Sequence, residues 1–275
     1  MPTIKSKDGT TLLLHHWPRA EARAKVIIVH GYGEHATRYT ELAHALVEAG
    51  FVVLAYDQRG HGESEGRRGY IDAFSQYLED LDVIIAESER LAPGLPRLVI
   101  GHSMGGLVTT AHVIDRSPRH AGVILSSPFF RLRLAVPAWK TLLGKAASRL
   151  HPTLSIPSGL SGKEVARDPE IAKLYDADPL NLKAATARWF TECVATQEHV
   201  FANADRFTLP VLLMHGEADG VADPARSAEI FPRLGSSDKT LELVPGAFHE
   251  IYNEPPADRV RITTRSIEWL NQHLA

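Results

Sequence analysis

The chain has 275 residues, a formal net charge of −3, and 44% hydrophobic against 23% charged residues. That length is enough for a substantial core in one α/β unit, and the charge balance offers no basic field to hold nucleic acid. A single cysteine, Cys193, excludes an internal disulfide and any Cys-x-x-Cys metal or redox pair, and it leans towards a reducing, cytoplasmic compartment.

The N-terminal stretch MPTIKSKDGTTLLLHHWP carries no long apolar segment after its lysines, and no run approaches bilayer-spanning length. A soluble protein without a signal peptide is the expectation. The run VIIVHG at 26–31, a helical pattern around ELAHALVEAG and the run FVVLAYD at 51–57 then make a βαβ unit, which implies parallel strands. A helix over about Phe74 to Leu91, the strand RLVIG at 97–101, a helix after Ser103 and the strand AGVILSSP at 121–128 continue the alternation.

The rhythm then breaks. From Phe129 to about Phe207 there is no strong strand pattern, only helix-like pieces divided by Pro137, Pro152, Pro157, Gly159, Pro169 and Pro179. It resumes with PVLLMHG at 210–216, a helix from about Asp223 to Leu234, KTLELVPG at 239–246 and a last helix ending in RSIEWLNQHL. The expected organisation is a core of residues 1–128 and 208–275 with an inserted helical unit at 129–207.

Within LVIGHSMGGLV, residues 101–105 fit G-x-S-x-G with a strand before and a helix after. That context separates a nucleophile elbow from an ordinary serine turn. A serine hydroxyl is a poor nucleophile unless a base stands within hydrogen-bond reach and an acid orients the base. Fourteen histidines compete for the first role. His249, in VPGAFHE just after the last strand, lies where reactive groups gather in such sheets. His30, His61 and His102 also lie near strand ends, but each has a local turn to serve. For the acid, the loop after PVLLMHG offers Glu217, Asp219 and Asp223. Asp223 precedes Pro224 and reads as a helix N-cap, whereas Asp219 has no such duty, precedes the flexible Gly220 and is taken as the acid. The chain order Ser103, Asp219, His249 is that of α/β-hydrolases. Backbone N–H groups to hold an oxyanion are expected from Met104, after the serine, and from Tyr32 in His30-Gly31-Tyr32-Gly33.

Five motifs together resemble the monoacylglycerol lipases and their lysophospholipase-like relatives: HGYGEHATRY at 30–39, YDQRGHGESEG at 56–66, GHSMGG at 101–106, HGEAD at 215–219 and HEIYNEP at 249–255. The match runs nearly the full chain, and RDPEIAKLYDADPL at 167–180 is similar to the family's cap. The resemblance implies an α/β-hydrolase fold, a mostly parallel sheet with helices on both faces and an inserted helical cap. It also implies hydrolysis of a glycerol monoester to fatty acid and glycerol, with no metal or organic cofactor. It carries polar-head contacts over to Glu34 and Arg38 and the cap tyrosine to Tyr175. Some members place a second histidine three residues after the first, and here that place holds Tyr252. A lysophospholipase, a broader carboxylesterase or an acyltransferase would share the acyl-enzyme half-reaction, and sequence leaves these open, as it does the oligomeric state. Asp57, Arg59 and His61 read as braces for a loop beside the site, and Cys193 as a small buried hydrophobe.

Between Phe129 and Lys163 there is no acidic residue, while Arg131, Arg133, Lys140, Lys145, Arg149 and Lys163 are all present. Pro137 can open a helix whose Trp139, Leu142, Leu143, Ala146 and Leu150 fall at helical spacing. A basic-flanked apolar stripe suits peripheral contact with a membrane surface, and it equally suits packing on the core or lining a substrate tunnel.

Overall fold

The computed structural model describes residues 2–133, 144 and 146–274. Strands β1 (Thr3–Lys5), β2 (Thr11–Trp17), β3 (Ala24–Val29), β4 (Phe51–Tyr56), β5 (Arg97–His102), β6 (Gly122–Ser126), β9 (Val211–Gly216) and β10 (Lys239–Val244) form one sheet in the order β1-β2-β4-β3-β5-β6-β9-β10. From β4 to β10 all pairings are parallel, while β2 runs antiparallel to β4 and β1 to β2. The two N-terminal strands are not among the expected elements, the first of which is the run at 26–31. The second of them, TLLLHHW, is apolar at Leu12–Leu14 and then polar at the histidines, so it shows no clean two-residue alternation.

Both faces of the sheet are covered, which is why its central strands read as continuous apolar runs. Ile27 and Val29 pack with Tyr77 and Leu81 of α2 (Ser75–Leu91) and with Leu107 and Ala111 of α3 (Met104–Arg116). Val26 and Ile28 face the other way, onto the layer holding Leu42 and Leu46 of α1 (Thr40–Glu48) and Trp269 of α8 (Pro256–Gln272). Helix α3 is buried on every side from Met104 to Ile114. Its residues do not show the one-sided stripe of a surface helix because it has no exposed side to make polar.

Strand order reverses at β3: the chain next lays β4 on one side of it and β5 on the other. The loops leaving β3 and β5 therefore open onto the crevice where ligands collect in open α/β sheets.

Between β6 and β9 the chain leaves the sheet. The expectation of helical pieces alone needs correction, because β7 (Ser155–Pro157) and β8 (Ala184–Thr186) pair as an antiparallel ribbon. Strands of three residues are too short to leave a periodic signal, and one ends in a proline. Around the ribbon stand α4 (Gly162–Val165), α5 (Pro169–Ala177) and α6 (Ala187–Ala202). Asp168 caps α5 by accepting from the Glu170 and Ile171 N–H groups, with Pro169 at the first helical position. The inserted segment is tied to loops at the strand ends: the Leu182 N–H donates to the Gly33 carbonyl at 2.9 Å, the Thr186 hydroxyl to the Gly69 carbonyl at 2.7 Å, and the Glu250 N–H to the Val165 carbonyl at 2.8 Å. Of the basic and apolar positions singled out above, Pro137, Trp139, Lys140, Leu142, Leu143 and Lys145 lie outside the described residues. Among the described residues no helix is long and apolar enough to cross a membrane.

The helix expected from Asp223 to Leu234 is α7 (Pro224–Ile230), followed by a 3₁₀ turn at Phe231–Arg233. Pro232 breaks the α-helical hydrogen bonding there.

Candidate active site

Ser103 stands between the last residue of β5 and the first of α3, with φ 51° and ψ −117°. A side chain held in that region costs about 1–3 kcal/mol, so the surroundings must enforce it. They do so through the Ser103 N–H on the Ser126 carbonyl (3.0 Å) and the Phe129 N–H on the Ser103 carbonyl (2.9 Å). The turn also needs Gly105: a Cβ there would meet the Val29 carbonyl oxygen at 2.0 Å, so any side chain would force α3 off β3.

The Ser103 hydroxyl lies 2.9 Å from His249 Nε2, and His249 Nδ1 lies 2.7 Å from Asp219 Oδ2. All three residues are buried. The partners fix the tautomer, since Nδ1–H donates to the carboxylate and Nε2 is left to accept from the serine. Burial opposes a charged His249, yet the Asp219 carboxylate, with Glu250 and Glu34 beyond, outweighs it and raises the imidazole above its usual range. Burial likewise opposes a charged Asp219, and here the two histidines His249 and His215 win and hold the carboxyl well below its usual range. The pair is therefore a carboxylate facing an imidazole ready to accept a proton.

Asp219 is placed by its own loop. Its Oδ1 accepts the Val221 and Ala222 N–H groups at 2.7 and 2.9 Å, leaving Oδ2 for His249. Asp223 instead accepts the Ala225 N–H at the start of α7 and pairs with Arg131 and Arg133. The cap reading of Asp223 and the separate placement of Asp219 both match this geometry.

Neither the Tyr32 N–H nor the Met104 N–H is engaged by another described residue. The Tyr32 side chain is held firmly: its hydroxyl donates to the Ala184 carbonyl at 2.7 Å, and its ring lies 3.7 Å from that of Trp189 on α6. The Trp189 indole N–H in turn reaches Met104 Sδ at 3.2 Å.

Glu34 and Arg38 are both involved in a buried charge cluster. Glu34 Oε1 accepts the Gly31 N–H at 2.5 Å and the Tyr39 hydroxyl at 2.7 Å, while Oε2 faces Arg38 at 3.3 Å. Arg38 also pairs with Glu250 and lies 4.8 Å over the Tyr175 ring. The Tyr175 hydroxyl is buried with no partner among the described residues. Tyr252 points elsewhere, its hydroxyl 2.9 Å from Ser266 Oγ on α8.

Ser103 and His249 open onto a cavity of about 430 Å³, within the usual range for a small-molecule site. Phe129, Leu132, Leu160, Val165, Trp189, Phe190 and Val221 give it apolar walls, and Glu34, Glu250 and Tyr175 line it as well. The arrangement can deprotonate a serine, hold an oxyanion and shelter an apolar chain. Among the described residues no group of His, Cys, Asp and Glu side chains is arranged to hold a metal ion.

Residues 20–256 match the family model described as serine aminopeptidase, S33. Over 97% of this chain and 95% of its own length, the monoacylglycerol lipase of Mycolicibacterium smegmatis is 32% identical. The chain belongs to the monoacylglycerol lipase family of α/β hydrolases. It is a serine hydrolase. The human monoglyceride lipase is 30% identical over 100% of this chain and 91% of that one. The crystal structure of the Paleococcus ferrophilus monoacylglycerol lipase matches with a TM-score of 0.87 at 34% identity, covering 95% of this chain and 99% of the other.

Two contributors in this member of the monoacylglycerol lipase family escaped the sequence reading. His215 lies beside Asp219, and Trp189 touches the side chains of both Tyr32 and Met104. The first stands in the HGEAD motif, four residues before Asp219, a spacing that could have drawn attention. The second carried no local signal, because its partners are remote in sequence.

The braces read from YDQRGHG are present as hydrogen bonds. Asp57 accepts the Ala36 and Glu63 N–H groups, each at 2.8 Å, and Arg59 takes both oxygens of Asp80 at 2.6 Å. Cys193 is fully buried, and burial pushes its thiol pKa up, away from reactivity.

Proposed function

We propose that this serine hydrolase cleaves monoacylglycerols to fatty acid and glycerol, with Ser103 as nucleophile, His249 as general base and acid, and Asp219 as the orienting carboxylate. The observation that carries it is the continuous hydrogen-bonded line from Ser103 through His249 to Asp219 at the mouth of an apolar cavity.

The Ser103 oxygen attacks the ester carbonyl as its proton passes to His249 Nε2. The Tyr32 and Met104 N–H groups hold the resulting oxyanion. The tetrahedral adduct collapses, His249 gives its proton to the departing glycerol oxygen, and an acyl-Ser103 remains. A water molecule, deprotonated by His249, attacks that acyl carbon, and the proton returns to Ser103 as the fatty acid leaves.

The polar end of the cavity favours a neutral alcohol over a phosphodiester. Glu34 and Glu250 both line it, and the Arg38 guanidinium beside them is already paired to both. Two carboxylates against one cation repel a phosphate and accept hydrogen bonds from hydroxyls, so Glu34, Arg38 and Tyr175 are assigned to the glycerol end. Residues 129–207 act as the cap that closes over the acyl chain. Leu150, Leu154 and Ile156 on it are exposed by half or more, and Ile156 also borders the cavity. This exposed apolar edge, in a segment rich in Arg and Lys, supports peripheral contact with lipid surfaces.

The test is kcat/KM on a monoacylglycerol, a diacylglycerol and a lysophosphatidylcholine of matched chain length. The monoacylglycerol should lead by tenfold or more, and a lead for the lysophospholipid would overturn the head-group assignment.

A further inference from the structure

Asp219 Oδ2, the oxygen that faces His249, is shared with a second histidine. His215 Nε2 lies 3.1 Å from it and 3.3 Å from the Ala222 carbonyl, while His215 Nδ1 lies 2.8 Å from the Ser227 hydroxyl. His215 and Ser227 have no measurable exposure. Nothing in hydrolysis by a serine, a histidine and an aspartate requires a second imidazole on the carboxylate, and a buried polar side chain so placed is costly unless satisfied.

The local chemistry selects one arrangement. Asp219 and the Ala222 carbonyl are acceptors only, so the His215 nitrogen facing them carries the proton. In the neutral imidazole Nδ1 is then a bare acceptor, and the Ser227 hydroxyl on α7 supplies the hydrogen it needs. The result is a directed chain in which Ser227 donates to His215, and His215 donates to the oxygen that also receives His249. We propose that His215 is a positioning residue for ester hydrolysis, fixing the Asp219 carboxylate in line with His249 and sharing the negative charge of Oδ2 between two imidazole donors.

This inference rests on the reading of Ser103, His249 and Asp219 as the reacting set. The Asp219 carboxylate would otherwise act on His249 alone, and a carboxylate with one donor fewer on Oδ2 stabilises the imidazolium more strongly. The other ionisable groups facing His249 are His102, whose ring centre is 4.8 Å away, and the carboxylates of Glu34 and Glu250. None of these side chains is hydrogen-bonded to His215, whose partners are Asp219, the Ala222 carbonyl and Ser227, so they serve as a common background when His215 is changed.

The experiment is the pH dependence of kcat/KM on a dissolved short-chain nitrophenyl ester for wild type, His215→Leu, His215→Gln and Ser227→Ala, with melting temperatures alongside. His215→Leu should lower kcat about tenfold, the scale of a lost hydrogen bond to a charged group. KM should stay unchanged, and the acid limb should move upward by about half a pH unit. His215→Gln, whose amide N–H can reach the same oxygen, should recover most of kcat and return the acid limb towards wild type. Ser227→Ala should move the limb the same way by less, because Nδ1 loses its donor and the other tautomer gains population. If the leucine variant fails to fold, the glutamine and Ser227 variants still decide. An acid limb unmoved in folded His215→Leu or Ser227→Ala, or a glutamine variant as impaired as the leucine one, overturns the proposal. Turnover surviving in a Ser103→Ala control would mean instead that the reading of the triad had failed.

Discussion

At Ser103 the backbone strain and the hydrogen bonds make one device: the φ of 51° lifts the hydroxyl to His249, and the enclosing glycines make the turn affordable. Ser103→Ala should remove ester turnover by more than a thousandfold while leaving the melting temperature within a few degrees, because the elbow keeps a small side chain. Asp219→Asn should impair kcat severely, whereas Asp223→Asn should loosen the start of α7 and cost about 1 kcal/mol or less of stability. A reversal of those two effects, read from kinetics and melting curves, would move the acid to Asp223. The pH dependence follows from His249. It works as a base only when neutral and its pKa is raised in the folded chain, so kcat/KM should fall as pH drops through a value above the usual 6.5. An acid limb below 6.5 would contradict this. The three members of this line were legible because each lies at a strand end beside a glycine or a tight turn. His215 was not, since a histidine inside a buried strand looks the same whether it packs or donates.

The elements of the sheet could be read wherever an apolar run was bounded by turn residues, as at Val26–Gly31 and Phe51–Asp57. The ribbon β7–β8 could not be read in this way, because three-residue strands show no period and their pairing joins positions some thirty residues apart. The inserted segment makes its own prediction. If its exposed edge meets lipid, replacing Leu150 and Leu154 with serine should weaken binding to anionic vesicles and slow hydrolysis of vesicle-borne monoacylglycerol severalfold. A dissolved short-chain ester should be turned over as before. Unchanged vesicle binding, measured by co-sedimentation, would leave the segment as a cover for the cavity alone.

Across the whole molecule, buried histidines set the response to acid. Burial holds His61, His102 and His120 down to about 3, with Arg97 adding to the effect at His120 and His249 at His102. In the unfolded chain each takes a proton near 6.5, so between that value and about 3 the unfolded state binds more protons and stability falls as pH falls. Each contributes about 1.4 kcal/mol of loss per pH unit. His249 acts in the opposite sense: its raised pKa gives stability that is fully present below 6.5 and lost as pH rises through the folded value. His16, His30 and His112 are shifted in the same downward direction by burial, so with six histidines against one the net slope should be downward between pH 6.5 and 4.5, a range whose lower end the carboxylates of the unfolded chain begin to share. Urea midpoints at pH 6.5, 5.5 and 4.5 should decrease steadily, and His120→Gln, remote from the site, should flatten the decrease. A midpoint that is level or rises over that range would show that these side chains gain protons without unfolding.

The central claim, that Ser103 is the acylated atom, is tested most directly by labelling the protein with a fluorophosphonate and locating the adduct by peptide mass spectrometry. The geometry at the elbow predicts a single adduct on Ser103, abolished in Ser103→Ala and strongly slowed in His249→Ala. An adduct on another serine, or labelling that persists in Ser103→Ala, would contradict it.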